Sequence, residues 1–239
     1  MELLRQSAEE ILNLVLTPEQ IHQFEIYLEE LIIWNEKFNL TSIKEPQEIV
    51  FKHFLDSLSC LSVIPKESQQ TSFSLIDVGS GAGFPGIPLK IVYPRIRLTL
   101  VDSVGKKIDF CKHIAVTLGL KDVEFLKIRA EDLGQSRQYR ESFDWSAARA
   151  VAKLPVLLEY LLPLVKTGGF ALAQKAQNIE EEMHSSEHAL KVLGGVLVKV
   201  HPVQLPGMDA RNLLVFKKNR STPPMYPRRS GVPSKKPLS

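Results

Sequence analysis

Residues 77 to 86 read Asp-Val-Gly-Ser-Gly-Ala-Gly-Phe-Pro-Gly and directly follow the apolar run Phe-Ser-Leu-Ile at 73–76. A strand that runs into a glycine-rich turn is typical of a nucleotide-binding edge in an α/β sheet. The glycines at 79, 81, 83 and 86 allow positive φ angles and a close approach of the backbone to a bound molecule. The stretch therefore predicts an α/β fold and a ligand that contains a nucleoside.

The charge beside this loop bears on which ligand is bound. Gly81, Gly83 and Gly86 satisfy the G-x-G-x-x-G pattern of dinucleotide-binding proteins. A loop that binds a pyrophosphate should not carry a carboxylate at its mouth, yet Asp77 precedes the first glycine by two residues. S-adenosylmethionine, which carries a sulfonium and an ammonium group beside an adenosine, would be attracted by that charge. The sequence thus favours a methyl donor over a dinucleotide.

A second acidic residue supports the adenosine part of this prediction. The apolar run 97–102 ends in Asp102, 23 positions after Gly79. A carboxylate at the tip of the second strand accepts hydrogen bonds from both hydroxyls of a ribose, in NAD enzymes and in methyltransferases alike. Asp102 therefore predicts an adenosine without separating the two ligand classes.

From residue 73 onward, apolar runs alternate with helical periodicities, which is the pattern of βαβ units in a parallel sheet. The last two runs are joined by a turn around Pro206-Gly207, so we expect an antiparallel hairpin at one edge of a seven-stranded, mostly parallel sheet. The predicted strands are 73–78, 97–102, 123–128, 143–148, 170–174, 196–203 and 211–217. The predicted helices between them are 86–92, 105–118, 154–165 and 178–193.

The first part of the chain predicts an N-terminal helical cap. Thr17-Pro18-Glu19-Gln20 forms a capping box with proline at the first helical position, and apolar residues then recur at three- and four-residue intervals to about Trp34. A second helix is expected to open at Pro46 and to end before Pro65. We therefore expect a cap over 1–70 and a ligand-binding domain over 71–218.

Residues 219–239 differ from the rest in composition. They contain five lysines and arginines, five prolines and no acidic residue. The formal net charge of the chain is +3, so the other 218 residues sum to −2, and bulk charge is poor evidence for nucleic-acid binding. With few large apolar side chains, this segment is expected to be a disordered basic tail that can hold polyanions loosely.

Composition limits the remaining possibilities. The chain has 239 residues, of which 44% are hydrophobic, enough for one main domain with appendages. It has no apolar stretch of about 18 residues and no basic N-terminal region, so a cytoplasmic protein without a membrane partner is expected. Cys60 and Cys111 have no metal-ligand spacing and are expected to be buried. We expect a monomer without a bound metal.

The loop and its surroundings resemble one known family. Asp-x-Gly-x-Gly-x-Gly is common among methyltransferases, whereas the continuation Phe84-Pro85-Gly86 is rare among them. From about residue 20 to 218 the chain resembles the bacterial glucose-inhibited division protein B family of small-subunit rRNA methyltransferases. The matching motifs are Trp34-Asn35, Phe38-Asn39-Leu40-Thr41, His53, Asp56-Ser57-Leu58, Asp102-Ser103, Lys106-Lys107, Arg129-Ala130-Glu131, Arg149-Ala150, Gly168-Gly169 and Lys175. The resemblance implies a Rossmann-like class I S-adenosylmethionine-dependent methyltransferase fold.

The resemblance also implies the site. The implied donor-binding residues are Gly79, Phe84, Asp102, Ser103, Val104, Ala130, Glu131 and Arg149. The candidate substrate contacts are Arg149, Lys175, Arg211 and His53. Arg149 ends the fourth predicted strand, where a guanidinium can hold the methionine carboxylate or an RNA phosphate. His53 and Asp56 lie three apart on one helical face, so an intrahelical pair and a place at the substrate rim are both open.

The residue types at the expected substrate edge bear on the acceptor atom. Carbon-5 methylation of a pyrimidine needs a thiolate, and neither cysteine is expected at that edge. Methylation of an exocyclic amine typically uses Asn or Asp followed by Pro-Pro and an aromatic, but this chain has Arg149-Ala150-Val151-Ala152 there. Guanine N7 has an in-plane lone pair and no proton to remove, so positioning can suffice and no general base is expected.

This reasoning agrees with the activity that the resemblance implies, which is methylation of N7 of one guanine, at position 527, in the 16S rRNA of the small ribosomal subunit. Three alternatives stay open at this point. They are an RNA-binding protein that keeps the methyltransferase fold without catalysis, a methyltransferase for another RNA, a protein or a small molecule, and a dinucleotide oxidoreductase. Methyl incorporation would exclude the protein without catalysis, and a specific requirement for rRNA would exclude another substrate. Retention of S-adenosylhomocysteine, and not NAD, on purification would exclude the oxidoreductase.

Overall fold

One mixed sheet organises the protein. The structure is a computed structural model that describes residues 1–65, 71–149, 151–176 and 179–238. Seven strands form the sheet within these ranges. They are β1 (Ser74–Val78), β2 (Arg97–Asp102), β3 (Val123–Lys127), β4 (Phe143–Arg149), β5 (Val165–Ala176), β6 (Gly195–Val203) and β7 (Arg211–Lys218).

The strand order is β3-β2-β1-β4-β5-β7-β6. Strands β1 to β5 pair in parallel, and β7 is antiparallel to both of its neighbours, β5 and β6. The predicted α/β sheet with an antiparallel edge is confirmed. Strand β5 begins at Val165, five residues before the predicted start, because the preceding helix ends early and a 3₁₀ turn, Leu162–Leu164, leads directly into the strand.

Helices cover both faces and the carboxyl end of the sheet. The N-terminal cap contains α1 (Glu2–Leu12), α2 (Pro18–Phe38) and α3, our name for the continuous helical stretch 46–62. Within α3, Pro46–Ile49 and Asp56–Leu58 are α-helical, Val50–Leu55 is a π-helical segment and Ser59–Ser62 is 3₁₀. The other helices are α4 (Gly86–Val92), α5 (Gly105–Thr117), α6 (Ala130–Gln135), α7 (Leu154–Leu161), α8 (Glu180–His184), α9 (Glu187–Leu193) and α10 (Val232–Lys235).

The predicted helix over 178–193, whose first residue lies outside the described ranges, is two short helices instead. The hydroxyls of Ser185 and Ser186 both donate to the carbonyl of Glu182, at 3.0 and 2.5 Å, where α8 ends. Serine side chains that bond to a carbonyl three or four residues back compete with the helical ladder. The pattern of apolar residues alone did not reveal this break.

The cap and the sheet share one hydrophobic core. The predicted capping box at the start of α2 forms, with Gln20 N–H donating to Thr17 Oγ1 at 3.2 Å and Thr17 N–H to Gln20 Oε1 at 2.9 Å. Phe24 and Tyr27 of α2 are fully buried in a cluster that also contains Leu98 and Leu100 of β2. The expected boundary between cap and domain, at 70/71, falls at the end of residues 66–70, which lie outside the described ranges. No helix in the described part of the chain is long and apolar enough to cross a membrane.

The C-terminal segment, residues 219–238, corrects the expectation of a disordered tail. The guanidinium of Arg140 donates to the carbonyl oxygens of Thr222, Pro223 and Tyr226. Arg228 forms an ion pair with Glu159, which is fully buried. The anchoring side chains, Arg140 and Glu159, lie far from the segment in sequence, and Arg140 binds backbone carbonyls of the segment. The composition of the segment therefore gave no sign of these contacts. The segment therefore folds onto the domain despite its five prolines.

The pair between Arg228 and Glu159 yields a stability prediction. Arg228→Ala would leave the Glu159 carboxylate buried without its counter-ion, so we expect it to lower the free energy of unfolding by about 3 kcal/mol. Denaturation by urea measures this change. The exposed neighbour Arg229 supplies the control, since Arg229→Ala should stay within about 0.5 kcal/mol of wild type. Equal stability of the two variants would contradict the docked segment.

Candidate functional site

A cavity of about 520 Å³ opens at the carboxyl ends of β1 to β4. This is the edge where α/β sheets bind ligands, and the volume suits a nucleoside-sized molecule. The structure brings all eight implied donor-binding residues to this main cavity. It is lined by Val78, Gly79, Ser80, Gly81, Phe84, Val101, Asp102, Ser103, Val104, Lys107, Ile128, Arg129, Ala130, Glu131, Arg149, Val151, Ala152, Tyr160 and Ser234.

The glycine loop forms the floor of the main cavity. Gly79, Gly81 and Gly83 have φ angles of 73°, 58° and 96°, as expected for a turn that favours glycine. A Cβ on Gly83 would lie 2.5 Å from Ile87 Cδ1 and 2.8 Å from the hydroxyl of Tyr27, which itself donates to the carbonyl of Ala82. Tyr27 of the cap thus contacts the loop at Ala82 and Gly83, whereas Gly79, Ser80 and Gly81 line the main cavity.

Asp77 is not at the mouth of this loop. The prediction that its carboxylate attracts a cationic ligand is therefore wrong. Its side chain is fully buried, and Oδ2 accepts a hydrogen bond from Gly86 N–H at 2.8 Å. Burial raises the pKa of Asp77 to about 7. The carboxyl group therefore fixes the turn into α4 from inside the protein, and the acidic group that lines the main cavity beside the loop is Asp102.

Asp102 lies at the tip of β2 with its carboxylate held in place. Oδ2 accepts from Gly81 N–H at 3.1 Å and Oδ1 accepts from Val104 N–H at 2.9 Å. Lys107 Nζ lies 3.8 Å from Oδ2. Each carboxylate oxygen has a second lone pair, so the group can still accept hydrogen bonds from the hydroxyls of a ribose. This is the geometry that the adenosine prediction requires.

The tip of β3 offers a slot for an aromatic base. Ile128 and Ala130 are apolar, and Glu131 lies beside them with its side chain 3% exposed. Oε1 of Glu131 accepts from Gly231 N–H at 2.8 Å, and the hydroxyl of Tyr160 lies 3.4 Å from the same atom. Sequence analysis missed Tyr160 and Ser234, because an apolar helix and a basic tail gave no signal for a place in a binding site.

Arg149 separates the main cavity from a second one. This side cavity has a volume of about 380 Å³. Arg149 lines both cavities, and its guanidinium carbon lies 5.1 Å from the centre of the Phe84 ring. The side cavity is lined by Ile43, Lys52, His53, Asp56, Arg149, Gln174, Lys175, Ala176, Glu182 and Arg211. All four candidate substrate contacts therefore lie around one space that adjoins the main cavity.

Asp56 is the centre of the contacts in this wall. Its Oδ2 accepts from Arg149 Nη1 at 2.9 Å, and its Oδ1 accepts from Gln174 Nε2 at 2.8 Å. Arg211 Nε lies 3.2 Å from Oδ1 in an ion pair. Burial raises the pKa of Asp56, and the charges of the two arginines oppose that rise. Asp56 thus acts as the shared counter-ion of Arg149 and Arg211, and not as the intrahelical partner of His53.

His53 is held as a neutral imidazole. Its ring stacks on Phe84 with centroids 4.6 Å apart, Nδ1 lies 3.0 Å from Arg149 Nη2, and Nε2 lies 2.8 Å from Thr41 Oγ1. Nδ1 also lies 3.0 Å from the carbonyl oxygen of Lys52, which can only accept, whereas the guanidinium can only donate, so the contacts of Nδ1 select neither tautomer. Burial and the charge of Arg149 lower the pKa of His53 to about 3. His53 is therefore a spacer and hydrogen-bond partner with little capacity to accept a proton.

The remaining ionic groups of the side cavity are also paired. Lys175 Nζ lies 2.7 Å from Glu182 Oε2 and donates to the carbonyl of Ala152 at 3.0 Å. Lys52 Nζ lies 2.5 Å from Glu48 Oε1. The space therefore presents directed N–H groups, and its acids are occupied by cations. That combination suits a ligand rich in hydrogen-bond acceptors.

Both cysteines lie outside the two cavities. Cys60 Sγ is 3.9 Å from Gln174 Oε1, and Cys111 Sγ donates to the carbonyl of Gly81 at 3.4 Å. Burial raises the pKa of both thiols well above its usual range. Neither is a candidate nucleophile. Among the residues that the structure describes, no group of three or more His, Cys, Asp or Glu side chains is arranged to hold a metal ion.

Comparisons with known proteins agree with this geometry. The family model described as rRNA small subunit methyltransferase G matches residues 20–213. The protein of that name from Alkaliphilus metalliredigens is 48% identical over 220 residues, which are 92% of this chain and 91% of that one. The protein of that name from Desulforamulus reducens is 45% identical over 237 residues, 99% of this chain and 97% of that one, so this match extends into the C-terminal segment.

Solved structures share the fold at low sequence identity. A SAM-dependent methyltransferase from Aquifex aeolicus superposes with a TM-score of 0.53 and 18% identity, over 74% of this chain and 96% of that one. At this identity the likeness speaks for the fold alone. It agrees with the α/β fold described above.

The neutral state of His53 gives a pH prediction. An unfolded histidine has a pKa of about 6.5, so between that value and about 3 the unfolded chain binds one more proton than the folded one. Stability should therefore fall as the pH drops below about 6.5, with a contribution from His53 of up to about 1.4 kcal/mol per pH unit. Unfolding by urea at pH 7, 6 and 5 should show a flatter profile for His53→Gln.

The exposed His188 is the matched control, and His188→Gln should keep the fall in stability assigned to His53, because that residue is intact. NMR gives the direct test, since the His53 ring should stay neutral down to pH 5. Titration of that ring near pH 6.5 would contradict the assigned contacts.

Asp102 gives a prediction on ligand binding. Asp102→Asn removes a charged acceptor from the ribose position, and hydrogen bonds to charged groups contribute about 1.5–3 kcal/mol each. We expect affinity for S-adenosylhomocysteine, measured by calorimetry, to fall by about tenfold or more. Asp109→Asn, an exposed change in α5, is the control and should bind as wild type does. Unchanged affinity of the Asp102 variant would remove this residue from the site.

Proposed function

The chain belongs to the rRNA small subunit methyltransferase G family, and we propose that it transfers the methyl group of S-adenosylmethionine to N7 of one guanine, at position 527, in 16S rRNA. The names of the relatives state methylation of small-subunit rRNA. They do not state the nucleotide or the acceptor atom, which we propose here. Support for the acceptor atom comes from the chemistry of the side cavity.

One observation carries the proposal: the side cavity adjoins the main cavity, and the described groups that line it include no available general base. His53 has a pKa of about 3. Asp56 contacts two arginines, and Glu182 pairs with Lys175. An acceptor atom that must lose a proton before or during methyl transfer would find no partner here. Guanine N7 already presents a lone pair, so this site would suit it.

The residues of the two cavities fit the parts of the reaction. When bound, S-adenosylmethionine would supply a methyl carbon for in-line attack by a lone pair, and the carbon–sulfur bond would break to leave the thioether S-adenosylhomocysteine. The glycine loop, Asp102 and the slot at Ala130 and Glu131 would hold the adenosine. Arg149, which lines both cavities, would position the reacting groups against each other. Orientation and proximity then account for most of the acceleration.

Cations of the side cavity would recognise the guanine base and the RNA phosphates on either side of it. Guanine presents N7 and O6 as acceptors on one edge, and arginine or lysine is their usual partner in proteins. If N7 faces the methyl group, O6 and the flanking phosphates remain for Arg211, Lys175 and Lys52. Arg211 is a third exposed, which leaves part of its guanidinium free of the pair with Asp56.

The test of the proposal is transfer of labelled methyl from S-adenosylmethionine to small ribosomal subunits, and to their rRNA, from cells that lack this gene. The product nucleoside is then identified. We expect N7-methylguanine at a single position of 16S rRNA. Label in another nucleoside would overturn the acceptor assignment. RNA binding without any incorporation would instead favour a protein that keeps the fold without catalysis.

Arg211→Ala tests the substrate side within the same assay. It should lower kcat/KM for the RNA by roughly tenfold or more, because a charged contact is lost, while affinity for S-adenosylhomocysteine stays unchanged. Lys217→Ala removes an exposed charge from the same strand, away from both cavities, and should behave as wild type. Equal loss in the two variants would indicate bulk charge instead of a specific contact.

A further inference from the structure

The C-terminal segment reaches the main cavity after crossing two helices. It first passes α6, where Gln135 Nε2 donates to the carbonyl oxygens of Pro224 and Pro227 at 3.2 and 2.7 Å. A Cβ on Gly134 would lie 2.6 Å from Pro227, so the chain here packs directly on the helix backbone. The path of the segment is therefore fixed before it arrives at the ligand edge.

A buried ion pair clamps the next residues. Arg228 donates from Nε to Glu159 Oε1 at 2.9 Å and from Nη2 to Oε2 at 2.6 Å, and its backbone N–H also reaches Oε1 at 2.8 Å. Glu159 is fully buried in α7, one residue before Tyr160, which lines the main cavity. This clamp sets the position of the following residues relative to the cavity wall.

After Arg228, both Gly231 and Ser234 make contacts at the main cavity. Gly231 N–H donates to Glu131 Oε1 at 2.8 Å, and Ser234 Oγ lies 3.0 Å from the hydroxyl of Tyr160. Glu131, Tyr160 and Ser234 all line the main cavity. At the far end Leu238 is buried against the same core as Tyr160, which holds the segment on both sides of Ser234.

We propose that residues 230–238 complete the adenine end of the donor site, with Gly231 orienting the Glu131 carboxylate toward the exocyclic amine and Ser234 supplying a hydroxyl at the rim of the base slot. Adenine has one amine donor and several ring-nitrogen acceptors, which a carboxylate and a hydroxyl match. A carboxylate held by a backbone N–H loses little freedom on binding, so the preorganised group discriminates between purines better than a mobile one.

The inference rests on S-adenosylmethionine as the donor, but it is independent of the acceptor. Binding of S-adenosylhomocysteine by the wild-type chain tests the donor site, and methyl transfer to rRNA tests the acceptor. A change in purine discrimination tests the C-terminal segment. The three results can therefore fail separately.

The experiment compares the full chain with a chain that ends at Arg229, which keeps the clamp between Arg228 and Glu159 and lacks Gly231, Ser234 and Leu238. Calorimetry measures binding of S-adenosylhomocysteine and of S-inosylhomocysteine, in which a carbonyl oxygen replaces the amine. We expect affinity for the adenosine compound to fall about tenfold on truncation, and the preference over the inosine compound to fall by a similar factor.

Ser234→Ala keeps the result interpretable if the truncated chain folds poorly, as judged by circular dichroism. This variant should weaken binding of S-adenosylhomocysteine a few-fold, and Arg229→Ala, an exposed change in the same segment, should not. Wild-type affinity and wild-type discrimination in both the truncated chain and Ser234→Ala would overturn the proposal. Loss of affinity with unchanged discrimination would overturn the part assigned to Gly231 and Glu131.

Discussion

A buried carboxylate fixes the cap to the carboxyl edge of the sheet. Asp56 of α3 is 1% exposed and contacts Arg149 of β4, Gln174 of β5 and Arg211 of β7. A charge removed from water at this depth costs several kcal/mol unless opposite charges and hydrogen bonds surround it. The three partners share the compensation of this charge, and the fully paired Arg149 and Gln174 contribute its short hydrogen bonds. The place of α3 over the sheet depends on this charge as well as on apolar packing.

The same carboxylate couples the two cavities. It holds the guanidinium of Arg149, which stacks over Phe84 of the glycine loop and contacts His53 of the cap. The wall between the main cavity and the side cavity is thus set by contacts inside the protein, without any ligand. Groups that are already oriented need no reorganisation when they bind or react, which lowers the free-energy cost of both. Methyl transfer to an atom without a proton needs little more than such positioning.

The sequence predicted most of the fold because the relevant signals are local. Alternating apolar runs and helical periods gave the sheet, and glycines with positive φ gave the loop. One error, the break between α8 and α9, is local, and the two others involve contacts that the apolar pattern and the composition do not show. Both faces of β1 are buried, so alternation could not tell that Asp77 turns inward to Gly86. The order of the C-terminal segment depends on Glu159, about 70 residues before Arg228, and on backbone carbonyls that composition does not reveal.

The ordered C-terminal segment also changes the electrostatic argument about RNA. The side cavity holds its cations in ion pairs, so it offers directional contacts and little long-range attraction. The pairs are Lys52–Glu48, Arg149–Asp56 and Lys175–Glu182. Arg229, Lys235 and Lys236 are exposed and flank the residues that reach the main cavity. Surface charges act over about 8–10 Å at physiological salt, so under the proposed function these cations would attract a polyanion, and the paired groups of the side cavity would supply the directional contacts. The proposed function would thus divide attraction and recognition between different residues, which is how a near-neutral domain could act on rRNA.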